Sequence, residues 1–93
     1  MIKTFGCKDT EKVFAGDTPK KWDVKMLKKA AVKLIIIHSA GNINDLKVPP
    51  GNRLHPLKDD LAGYYSISIN MQWRIIFKWI DNNAYEVKIT DYH

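Results

Sequence analysis

The chain has 93 residues, 45% of them hydrophobic and 27% charged, with a formal net charge of +5 and a single cysteine. Such a composition supports one compact domain, expected over 1–93, and excludes a disordered chain or an internal disulfide framework. No run has the length of a membrane span or a secretory leader, so the expected address is the cytoplasm, and fifteen Lys and Arg against ten Asp and Glu favour anionic partners.

Ile2 to Phe5 reads as a short opening strand. Asp9 or Thr10 is placed to cap a brief helix running to Ala15, and Gly16 supplies its stop. Thr18-Pro19 predicts the start of a long helix reaching about His38, because proline at the first helical position loses no hydrogen bond. Val24, Leu27, Ala31, Leu34 and Ile35 fall on one face of that helix, and Lys25, Lys29 and Lys33 form a solvated stripe opposite. Ile43 to Leu46 adds a further turn. Val48-Pro49-Pro50-Gly51-Asn52 follows as an ordered loop that no helix can cross.

Beyond the loop the hydrophobic period changes to two. Tyr65, Ile67 and Ile69 alternate with Tyr64, Ser66 and Ser68, and Trp73, Ile75, Phe77 and Trp79 with Arg74, Ile76, Lys78 and Ile80. Tyr85, Val87 and Ile89 then alternate with Ala84, Glu86, Lys88 and Thr90. The short connections Asn70-Met71-Gln72 and Asp81-Asn82-Asn83 predict an antiparallel meander, with a short strand near Arg53 to His55 pairing against its first member. The fold class is therefore α+β, two N-terminal helices packed on a curved antiparallel sheet whose other face is partly open to solvent.

Strand parity sorts the side chains on that open face. With Leu54, Trp73, Ile75, Phe77, Val87 and Ile89 inward, Arg53, His55, Arg74, Lys78, Lys88 and Tyr92 point outward. Pro56 keeps His55 extended and confines its strand to an edge. Lys58 follows in the next loop, Asp91 sits at the margin, and His93 shares the outward side only if the strand has ended.

Cleaving RNA without a metal takes a base for the 2′-hydroxyl, an acid for the leaving 5′-oxygen and cations for the phosphate. Histidine serves either proton role, arginine and lysine hold phosphoryl oxygens, and tyrosine stacks on a base. Each residue also has a plainer reading: a solvated histidine, an Arg74–Glu86 cross-strand ion pair, a flexible terminal His93. Asp59-Asp60 reads as a turn and Cys7 stands alone, so neither a metal nor another cofactor is expected. Periodicity alone gives a basic, anion-binding sheet face and does not establish catalysis.

From Pro50 onward the motifs "PGNRLHPLK", "GYYSI", "QWRIIFKW" and "AYEVKITDYH" resemble the HigB group of the RelE/ParE toxin superfamily, densely in the C-terminal half and through helix order in the N-terminal half. The resemblance implies a ribosome-dependent, metal-independent endoribonuclease that cuts mRNA in the ribosomal A site. It assigns His55 as acid or base, Lys58 to phosphate, Arg74 to the charged transition state, and Asp91, Tyr92 and His93 to the rest of the site, with Arg53, Lys78 and Lys88 as RNA contacts. It also implies a HigA-type helix-turn-helix antitoxin, in a complex acting on its own operator DNA. This chain departs from the pattern at Asp59, where the group commonly has glycine, and at Met71, where a polar residue is usual. The alternatives sharing the fold are a ParE-like gyrase poison and a non-catalytic RNA- or protein-binding module.

Overall fold

A computed structural model describes residues 1–92; the expected roles of His93 lie outside the described residues. In chain order come α1 (Lys8–Phe14), α2 (Val24–Ser39), 3-10 turns at Ile43–Lys47 and Pro50–Asn52, β1 (His55–Pro56), a turn at Asp59–Leu61, β2 (Tyr64–Ser68), β3 (Trp73–Ile80) and β4 (Asn83–Asp91). The strands form one antiparallel sheet in the order β1-β2-β3-β4. The expected opening strand is present as two parallel bridges, Ile2 to Ala84 and Phe5 to Val87, which cover the β4 edge.

α2 begins later than Thr18-Pro19 suggests. Asp23 is its N-cap, with the carboxylate accepting the Met26 N–H at 2.8 Å. The cause lies one residue earlier, where Trp22 is buried and meets Trp73 edge-on at 6.1 Å between centroids. Trp22 and the buried Leu27 occupy the two positions of a hydrophobic staple, so the chain must turn at Trp22 before the helix can start. The buried stripe is Met26, Leu27, Ala30, Leu34 and Ile37, while Val24 and Ile35 are 63% and 57% exposed. It is rotated by roughly a quarter-turn from the expected face. Lys33 also leaves the solvated stripe, as its ammonium donates to the Asn52 side chain.

The core lies between α2 and the sheet, where Leu34, Ile37, Ile67, Ile75, Phe77 and Val87 are fully buried. The register runs without interruption between β2 and β3 and breaks between β3 and β4. Lys78 pairs with Tyr85 and Ile76 with Lys88, so Phe77 alone faces both Glu86 and Val87. That bulge, with Glu86 at φ 54, reverses the parity: Ala84 is the fully buried core residue and Tyr85 is not. Thr4 fixes the bulge from outside, accepting the Glu86 N–H at 2.8 Å and donating to its carboxylate at 3.3 Å. Glu86 is thus engaged by Thr4 and not by Arg74. Gly6 lets the opening segment pass, since a Cβ there would stand 3.0 Å from the Glu86 carbonyl oxygen.

Candidate active site

Residues directly opposite each other in an antiparallel ladder share a face. The register therefore lays out three rows on the face turned away from the helices. They are Tyr64–Lys78–Tyr85, then His55–Ser66–Ile76–Lys88, then Ser68–Arg74–Thr90, with Tyr92 next beyond Thr90. The centre of this face is less open than expected: Ser66, Ser68 and Ile76 are all buried. The face opens instead at the end where β1, the β2–β3 turn and the end of β4 meet.

A hollow of about 300 Å³ lies there, lined by Arg53, His55, Asn70, Met71 and Tyr92. Arg74 joins it through Tyr92, with its guanidinium carbon 5.2 Å from the phenol ring centroid. The Arg74 Nε is buried and has no hydrogen-bond partner among the described residues. The half-buried guanidinium stands beside the hollow against the Tyr92 ring, and its charge favours an anion there.

His55 has a defined orientation. Its Nδ1 lies 2.9 Å from the Arg53 carbonyl oxygen. A carbonyl can only accept, so Nδ1 carries the proton and Nε2 holds the free lone pair of the neutral ring. Nε2 can thus take a proton from a substrate, or return one when the ring is charged. Arg53 adopts a left-handed conformation, φ 50, as it turns the chain from Asn52 into β1.

The other expected residues are spread more widely. Lys58 is exposed in the loop after β1 and is not among the residues lining the hollow. Lys78 lies 5.3 Å from the Tyr64 ring centroid, at the far row of the face, and Lys88 is exposed opposite Ile76. Asp91 pairs with Trp73 and so belongs to the helix-side parity, where its carboxylate accepts from the Gln72 side-chain amide at 3.2 Å. The structure thus gathers Arg53, His55, Arg74 and Tyr92, and holds Asp91 beside them on the opposite parity.

Sequence parity missed the third wall of the hollow. Asn70 Oδ1 accepts the N–H groups of Gln72 and Trp73, each at 2.8 Å, which fixes the tight β2–β3 turn and holds Met71 out at 88% exposure. The Gln72 carbonyl accepts the Tyr92 N–H at 2.9 Å, so this turn also anchors the end of β4. An Asn at the start of a three-residue turn was the available signal. A larger hollow of about 530 Å³, lined by Asp9, Lys12, Asp17, Thr18, Pro19, Lys20 and Lys21, holds no histidine or aromatic side chain. Among the described residues no three His, Cys, Asp or Glu side chains come together as a metal-ligand set.

Comparison with known proteins extends the motif resemblance along the chain. A family model described as the RelE-like toxin of type II toxin-antitoxin system HigB matches residues 3–93. Toxin HigB-1 of Vibrio cholerae is 46% identical over 52 residues, spanning 56% of this chain and 55% of that protein. Endoribonuclease HigB of Proteus vulgaris is 33% identical over 93 residues, 100% of both chains. Among solved structures, the YoeB-YefM complex from Staphylococcus aureus is similar with a TM-score of 0.61 and 25% identity, covering 100% of this chain and 98% of that one.

Proposed function

The chain belongs to the HigB-like family of RelE-type toxins of type II toxin–antitoxin systems, and from that premise we propose that it is a ribosome-dependent, metal-independent endoribonuclease. Its substrate is mRNA in the ribosomal A site, and cleavage stops translation in the cytoplasm. The observation that carries this reading is the orientation of His55, whose Nε2 is left free beside a hollow that Arg74 and Tyr92 complete.

In this mechanism His55 Nε2 takes the proton of a 2′-hydroxyl, and the 2′-oxygen bonds to phosphorus as the 5′-oxygen leaves. The products are a 2′,3′-cyclic phosphate and a 5′-hydroxyl, the leaving oxygen taking its proton from a second acid. His93 is assigned that role on the family motif alone. Arg74 binds the charged phosphoryl oxygens and Tyr92 stacks on a base. Asp91 completes the site, while Lys58, Arg53, Lys78 and Lys88 contact phosphates along the RNA. A HigA-type helix-turn-helix antitoxin neutralises the toxin, and their complex acts on the operator DNA.

Toeprinting in a reconstituted translation system tests this. The wild-type protein is expected to truncate translated messages within A-site codons and to leave the same RNA intact without ribosomes. His55→Ala is expected to slow cleavage by about 10²–10⁴-fold, the usual worth of a general acid–base group. Full translation of the message in the presence of folded wild-type protein would refute the proposal. DNA breaks dependent on gyrase would instead assign the chain to the gyrase-poisoning branch of the fold.

A further inference from the structure

The strongest feature outside the hollow is a chain of hydrogen bonds that leads to it from α2. Asn52 is 0% exposed, yet its side-chain amide is fully engaged. Its Nδ2 donates to the carbonyls of Leu46 at 3.1 Å and Val48 at 3.2 Å, and its Oδ1 accepts from the ammonium of Lys33. Its backbone N–H donates to the Pro49 carbonyl at 2.9 Å, and the next N–H, of Arg53, to the Pro50 carbonyl at 3.1 Å. These bonds tie down the segment in which Arg53 turns left-handed and offers its carbonyl to His55.

We propose that Lys33 and Asn52 are positioning residues for the reaction, holding the Arg53 carbonyl so that His55 keeps its proton on Nδ1 and its lone pair on Nε2. This rests on the nuclease reading above for its consequence, but not for its structural content. A neutral imidazole on an exposed strand exchanges its proton between the two nitrogens unless one of them is held by an acceptor. The only acceptor bonded to His55 among the described residues is the Arg53 carbonyl, two residues away. For a non-glycine residue the left-handed turn at Arg53 is a costly conformation that persists only where its surroundings impose it. The surroundings here are the buried Asn52 amide and, behind it, the cation on α2. Burial and the neighbouring Lys29 lower the pKa of Lys33, in that order, consistent with an ammonium drawn inward from the surface stripe.

The test uses Lys33→Met, which keeps the stem and removes the donor, with Lys33→Arg as the conservative partner and Asn52→Ala as a second break in the chain. Long-range nitrogen NMR reads the His55 tautomer, its signals assigned with His55→Asn, and ribosome-dependent cleavage gives kcat and KM. Wild-type His55 is expected to carry its neutral-ring proton on Nδ1. In Lys33→Met the tautomers mix and kcat falls about 10-fold, with KM changed less than about 2-fold. Lys33→Arg restores both. Asn52→Ala shows the same tautomer mixing if it folds, and if it does not, Lys33→Met decides alone. An unchanged tautomer in Lys33→Met overturns the proposal, as does a loss confined to KM, which would make Lys33 a direct RNA contact. If the wild-type protein cuts no mRNA, the nuclease reading fails while the tautomer measurement still decides the clamp.

Discussion

Replacing Arg74 by lysine keeps the positive charge and removes two things the structure gives the guanidinium, its planar fork and its buried Nε. Lysine cannot bind two phosphoryl oxygens together, and hydrogen bonds between charged groups are worth about 1.5–3 kcal/mol each. Losing one such bond in the transition state lowers kcat/KM by roughly 10- to 100-fold, at 1.4 kcal/mol per factor of ten. Stability should move the other way or hardly at all. The contact with the Tyr92 ring, at 5.2 Å, contributes about 0.5–1 kcal/mol and survives in part with an ammonium. The buried Nε, without a hydrogen-bond partner among the described residues, costs about 1–3 kcal/mol in the folded state, and lysine removes that cost. Melting temperature is therefore expected to hold or to rise, by about 4–8 °C for each 1 kcal/mol gained in a domain this small. The assay pairs ribosome-dependent cleavage kinetics with thermal denaturation of the same preparation. Cleavage retained within about 3-fold would refute the role given to the fork, since the expected loss is at least about tenfold. A large fall in melting temperature that accounts for all the lost activity would show Arg74 to be structural.

Leu34 is fully buried, so Leu34→Ala should cost about 2–5 kcal/mol in a denaturant titration while activity per folded molecule is kept. Val24→Lys should leave stability within about 0.5 kcal/mol, because the side chain is 63% exposed; a larger loss would restore it to the core face. Gly6→Ala sets a methyl 3.0 Å from the Glu86 carbonyl and 3.1 Å from the Lys88 Cβ, and should speed hydrogen exchange at the N–H groups of Lys3 and Gly6. Lys33 binds its proton less tightly folded than unfolded, so stability should rise with pH just below the ordinary lysine range. That increment should be missing in Lys33→Met.

How far the sequence could be read depended on how local each signal was. β2 and β3 follow from alternation alone, and with them the outward parity of Arg74 and His55. Tyr92 also reached the correct face, because the β4 bulge lies upstream of it and leaves the parity of Val87, Ile89 and Tyr92 intact. The bulge itself was hidden, since it is fixed by Thr4, 82 positions away. Trp22 shows the same limit: Pro19 carries a strong local start signal, which burial of the tryptophan against Trp73 overrides. Lys33 looked like one more lysine in a solvated stripe because its partner, Asn52, lies in a different element. The hollow was half legible: histidine, arginine and tyrosine carry recognisable chemistry, whereas Asn70 and Gln72 act through turn geometry that composition does not reveal.

The central claim is that His55 activates a ribose 2′-hydroxyl, and the ends of the cut message test it most directly. Fragments from ribosomes treated with the wild-type protein should carry a 2′,3′-cyclic phosphate or its hydrolysis product upstream and a 5′-hydroxyl downstream. A message with a single 2′-deoxynucleotide at the cleavage position should stay uncut there. Upstream fragments ending in a 3′-hydroxyl, or cleavage undiminished at the deoxy position, would contradict the mechanism built on His55, Arg74 and Tyr92.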